Sequence, residues 1–88
     1  MTRETLVEVL RHVTQPSDNA FVVPKGREVA LHLGRPGEGM AIGPVARVDL
    51  DKSHVRVTTT RGQQFFATYE DVSVIAEGPE GRSGFWQG

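Results

Sequence analysis

Three stretches of the chain alternate apolar and polar residues with a period of two, and this recurrence restricts the fold more than any other feature. Val29, Leu31 and Leu33 alternate with Glu28, Ala30 and His32; Ala46, Val48 and Leu50 alternate with Val45, Arg47 and Asp49; Val55 and Val57 alternate with His54, Arg56 and Thr58. Successive side chains of a strand point to opposite faces, so each stretch reads as a strand with one buried face. Lys25-Gly26 opens the first stretch, and Asp51-Lys52-Ser53 is a tight turn between the second and the third. A meander of these three strands is expected. Arg61-Gly62 signals the next turn, "QQFFAT" a fourth strand, "YEDV" a helical turn and "SVI" a short fifth strand. The expected class is mainly β, with antiparallel strands over residues 20–76, followed over 77–88 by a glycine-rich tail expected to be flexible.

Residues 1–15 carry a different period. Leu6, Val9, Leu10 and Val13 fall at the spacing of one helix face, with Glu4, Glu8 and Arg11 on the other. Thr2 can cap the start of such a helix, and Gln15-Pro16 stops it because the residue before a proline is pushed out of the helical region. The β-branched residues around the stripe leave a strand as the rival reading. At 88 residues a single small domain is expected, burying only ~60% of the surface its unfolded chain exposes, so the stability margin is thin and self-association is a natural remedy.

The balance of charges removes several classes of function. Ten Lys plus Arg against eleven Asp plus Glu give a net charge of -1, so no global field draws the chain toward nucleic acid or anionic lipid. The absence of cysteine excludes disulfides, a thiolate nucleophile and the usual cysteine-bearing zinc site. Apolar runs fall short of the ~20 residues of a membrane span, and a cytoplasmic location is expected.

Residues 34–45, "GRPGEGMAIGPV", approach a dinucleotide-binding fingerprint. A pyrophosphate cradle requires its glycines to open a helix, whose N-terminus then favours the negative charge. Here Gly43 is followed by Pro44 and by the period-two run "VARVDLD", and no Lys-Ser or Lys-Thr follows Gly39 or Gly43 to make a Walker loop. The glycines are expected to serve turns at the tip of a long, mobile hairpin.

Gly26 and Val29, Gly43 and Val45, Val48-Asp49 and the strand Val55-Arg56-Val57 together resemble the KOW motif and the wider class of Src-homology-3-like small barrels. "FATYEDVSVI" is similar to the turn and closing strand that end such barrels, and the resemblance covers roughly residues 24–75. It implies a five-stranded antiparallel small barrel with the N-terminal α-helix added. It also implies contact with RNA or with ribosomal and transcription proteins. The loop carries Arg35 beside Glu38 where KOW loops are usually rich in lysine. The layout of a short N-terminal segment and a small barrel also resembles the type II dihydrofolate reductases, which assemble around a central pore. Their Val-Gln-Ile-Tyr motif has no counterpart, "QQFFATY" being the nearest stretch.

No chemistry of covalent catalysis is legible, and no catalytic residue, metal or cofactor is expected. His12, His32 and His54 are about twenty residues apart without ligand partners at short spacing. "DLDKSH" opens like a calcium loop but has His54 where that loop needs glycine and Thr60 where it needs glutamate. Phe65 and Phe66 are adjacent, so one of them must point outward from a strand, and Phe85 and Trp86 could anchor the tail to a partner. If Ala46, Val48 and Leu50 face the core, Arg47 points outward, with His32 and Arg56 expected on the same face and Arg35 and Met40 extending it from the adjoining loop. The combined reading is a noncatalytic binding or regulatory module acting through protein contacts or self-association. The alternatives are a KOW-type RNA- or DNA-binding domain and, third, a pore-forming oligomeric enzyme.

Overall fold

The N-terminal stripe makes a helix, α1 (Arg3–Val13), in the computed structural model of the chain, which describes residues 1–18, 20–35 and 38–79. The Thr2 hydroxyl accepts the Thr5 N–H at 3.2 Å, satisfying a donor that the first turn leaves without a partner. Glu4 in the first turn and Arg11 and His12 in the last complement the helix dipole. Only Leu6 and Leu10 are fully buried, and Val9 and Val13 lie at the margin of the contact. The helix ends at Val13, where Thr14 becomes extended and directs both its N–H and its hydroxyl to the Leu10 carbonyl.

Among the described residues eight strands follow: β1 (Gln15–Ser17), β2 (Ala20–Val22), β3 (Arg27–Leu33), β4 (Met40–Ile42), β5 (Val45–Leu50), β6 (His54–Thr59), β7 (Gln64–Thr68) and, after a 3-10 turn at Tyr69–Asp71, β8 (Val72–Pro79). All pairings are antiparallel, in two sheets ordered β1-β2-β5-β6-β7 and β4-β3-β8. The chain is therefore mainly β with one helix. Among the described residues no strand pairing closes the two sheets into one barrel.

Three differences from the sequence expectation have physical causes. The extra strands β1, β2 and β4 are three residues each, too short to display an alternating pattern of their own. The meander holds for β5 and β6 but not for β3, whose neighbours are β4 and β8. Residues 40–42 of the glycine-rich stretch pair with Leu31–Leu33 and so occupy the edge of β3 that a meander would have given to β5. The closing strand also runs to Pro79, with Arg27 opposite Pro79, so 77–79 belong to a sheet and not to a tail. Phe85 and Trp86 lie outside the described residues.

The hairpin expected at the glycine-rich stretch is present, and its connection is held by Glu38 and Gly39 N–H groups on the Arg35 carbonyl at 3.0 and 2.9 Å. A Cβ on Gly39 would lie 1.6 Å from the Leu33 carbonyl oxygen, so this position tolerates glycine alone.

The core gathers side chains from both sheets and the helix: Leu6, Leu10, Phe21, Val29, Leu31, Ile42, Val45, Val48, Val55, Val57, Tyr69 and Val72. A bulge in β5 between Val45 and Arg47 changes which residues enter it. The extra residue lets Val45 and Val48 both face inward, while Ala46 and Leu50, expected in the core, are only half-buried. The Met1 nitrogen donates to the Tyr69 and Val72 carbonyls at 3.0 and 2.9 Å, joining the helix start to the 3-10 turn. The Tyr69 hydroxyl donates to the Asp51 carbonyl and holds that turn against the β5–β6 connection. Among the described residues no helix is long and apolar enough to cross a membrane.

Candidate functional site

The outer face of the five-stranded sheet carries a row of charged and aromatic side chains. The turn after β6 is centred on Arg61, with the Thr59 N–H donating to the Gln63 carbonyl at 2.9 Å and the Gly62 N–H to the Thr59 carbonyl at 3.0 Å. Gly62 supplies the positive φ, +84°, that such a short connection needs. Residues equidistant from Arg61 then face each other, which places Phe66 opposite Arg56. On the other side of β6, Arg56 lies opposite Asp49 of β5. Asp49, Arg56 and Phe66 thus form one cross-strand row within side-chain reach of each other.

Asp49 is held between two guanidinium groups. Arg47, two residues away on the same face, donates through Nε to Oδ2 at 3.0 Å and Oδ1 at 3.1 Å and through Nη2 to Oδ1 at 2.9 Å, and Arg56 Nη2 lies 3.4 Å from Oδ2. Hydrogen bonding to Asp49, then the Asp49 charge with a smaller contribution from Asp18, holds the Arg47 guanidinium above its usual range despite some desolvation. Two cations against one carboxylate leave one positive charge in this cluster. Arg56 Nε is buried and has no hydrogen-bond partner.

Beside this cluster, His54 Nε2 is 3.7 Å from an Asp51 oxygen, and its ring lies 6.1 Å from that of Phe66 at 48°. Phe66 is 63% exposed, the most exposed of the large apolar side chains among the described residues, whereas Phe65 packs on the core. Asp49, Leu50, Asp51, His54, Arg56 and Phe66 line a shallow cleft of 280 Å³. It presents guanidinium donors, an imidazole and an accessible aromatic ring. Among the described residues no three metal-ligating side chains come together.

The expected binding residues divide between the sheets. Arg47 and Arg56 share the outer face as anticipated. His32 does not join them, because β3 belongs to the other sheet; it lies opposite Ala41 and Val74, with its carbonyl accepting the Ser73 hydroxyl at 3.1 Å. Arg35 is in the β3–β4 turn, and Met40, 51% exposed, begins β4 opposite Leu33. The residues that sequence reasoning left out of the site are Asp49, His54 and Phe66. The turn at Arg61-Gly62 contained a signal for Phe66, since a hairpin centred there brings it opposite Arg56. No protein-family model matches the chain, and no curated protein and no solved structure is significantly similar to it.

Proposed function

We propose that the protein is a noncatalytic recognition module of the Src-homology-3-like small-barrel class, binding a protein segment that presents a carboxylate beside an apolar side chain. The consecutive β5, β6 and β7, the 3-10 turn before β8 and the return of β8 to β3 support the class assignment. The observation that carries the function is the Asp49–Arg56–Phe66 row, in which an accessible aromatic ring adjoins an arginine side chain that is 41% exposed. A carboxylate would pair with the exposed end of the Arg56 guanidinium, and its neighbouring apolar group would cover Phe66.

Amide chemical-shift mapping with a panel of acidic peptides tests this directly. Shifts are expected at Arg47, His54, Arg56 and Phe66, and the double variant Arg47→Glu/Arg56→Glu should remain folded and lose them. Shifts confined to the β4-β3-β8 sheet, or binding unchanged in the folded double variant, would overturn the assignment. The exposed Phe66 also favours a second reading, a nucleic-acid binder that stacks bases on the sheet face. Single-stranded oligonucleotides bound at the same residues, with affinity falling steeply with salt, would select it over the peptide reading.

A further inference from the structure

We infer that β7 is a self-pairing edge through which two copies of this chain join into one continuous antiparallel sheet. The inference rests on the backbone edge of β7, and it shares the Phe66 ring with the proposed binding row.

A strand at the margin of a sheet offers a row of N–H and C=O groups to any partner, and proteins guard such margins with short strands, proline or charge. Of the four margins among the described residues, three are guarded. β1 and β4 have three residues each, and β1 contains Pro16. β8 is longer, but its start carries the Met1 nitrogen on the Val72 carbonyl, and its far end holds Pro79 and Glu77, which is ion-paired with Arg27. β7, "QFFAT", has no proline and no charge, lies at the end of its sheet, and exposes Phe66.

The ladder fixes which groups are offered. Thr59 and Gln63 form the first bonded pair of the β6–β7 hairpin. In an antiparallel ladder bonded and non-bonded pairs alternate, so Phe65 and Ala67 direct their N–H and C=O groups to β6, while Gln64, Phe66 and Thr68 direct theirs outward. A two-fold axis at Phe66 makes this edge self-complementary: Phe66 faces Phe66 of the second copy, and Gln64 faces its Thr68. Aromatic rings meet across the axis, flanked on each side by an Arg56. No like charges face each other on the strand.

The test uses the absence of native cysteine. Residues in a bonded antiparallel pair have Cα atoms ~5.5 Å apart, inside the ~4.4–6.8 Å span of a disulfide. Phe66→Cys is therefore expected to cross-link into a covalent dimer under mild oxidation. Gln64→Cys, whose two copies would stand four residues out of register and ~13 Å apart, is expected to remain uncross-linked. Sedimentation of the unmodified protein over a concentration series should approach twice the monomer mass. Phe66→Lys should return it to the monomer with its circular dichroism retained, and Val74→Lys on β8 should leave the dimer intact. A monomer at every concentration would overturn the inference. So would a dimer that survives Phe66→Lys, dissociates with Val74→Lys, or cross-links as readily through Gln64→Cys as through Phe66→Cys.

Discussion

Replacing Leu10 by alanine measures whether α1 is part of the core or an accessory to it. Leu10 is fully buried among side chains of the shared core, one helical turn after Leu6. The substitution removes three carbons, or roughly 2.4 kcal/mol at about 0.8 kcal/mol per buried methylene. The cavity left behind raises the expected loss to about 3 kcal/mol, within the range of buried leucine truncations. An 88-residue domain has a total stability of roughly 4–13 kcal/mol, so this one side chain carries a large share of it. Each kcal/mol lowers the melting temperature of a domain this size by about 4–8 °C, which predicts a fall of roughly 12–24 °C. Urea unfolding followed by far-ultraviolet circular dichroism should show the midpoint shifted and the slope unchanged, the signature of a stability change alone. Val9→Ala, at the half-buried margin of the same face, should lose less than half as much. A Leu10→Ala loss within about 0.5 kcal/mol, as for an exposed position, would refute the placement of the helix.

The remaining predictions concern the charge cluster and the turns. Asp49→Asn leaves Arg47 and Arg56 facing each other without their shared carboxylate; the melting temperature should drop at low ionic strength, and the deficit should shrink in high salt. Gly39→Ala forces a Cβ into the Leu33 carbonyl and should cost about 3 kcal/mol or prevent the β3–β4 hairpin from forming. Gly62→Ala, at a positive φ with open space around it, should cost only about 1 kcal/mol, and chemical denaturation of the pair compares the two.

The parts of this protein that sequence alone determined are those governed by local periodicity and turn chemistry. Leu6 and Leu10 on one helical face, Thr2 at its cap, the inward Val29, Leu31, Val55 and Val57, and the turn at Arg61-Gly62 all follow from spacing over a few residues. The outward direction of Arg47 and Arg56 follows from the same alternation. Tertiary structure alone decided which strands became neighbours, because a period of two orients side chains without naming a partner strand. Residues 40–42 took the edge of β3 and β8 took the other, so His32 was separated from Arg47 and Arg56. The bulge in β5, invisible in the alternation, brought Val45 into the core in place of Ala46. The choice between Phe65 and Phe66 also awaited the fold, since adjacent aromatics satisfy either register and only packing against the core selected Phe65 and left Phe66 exposed beside Arg56.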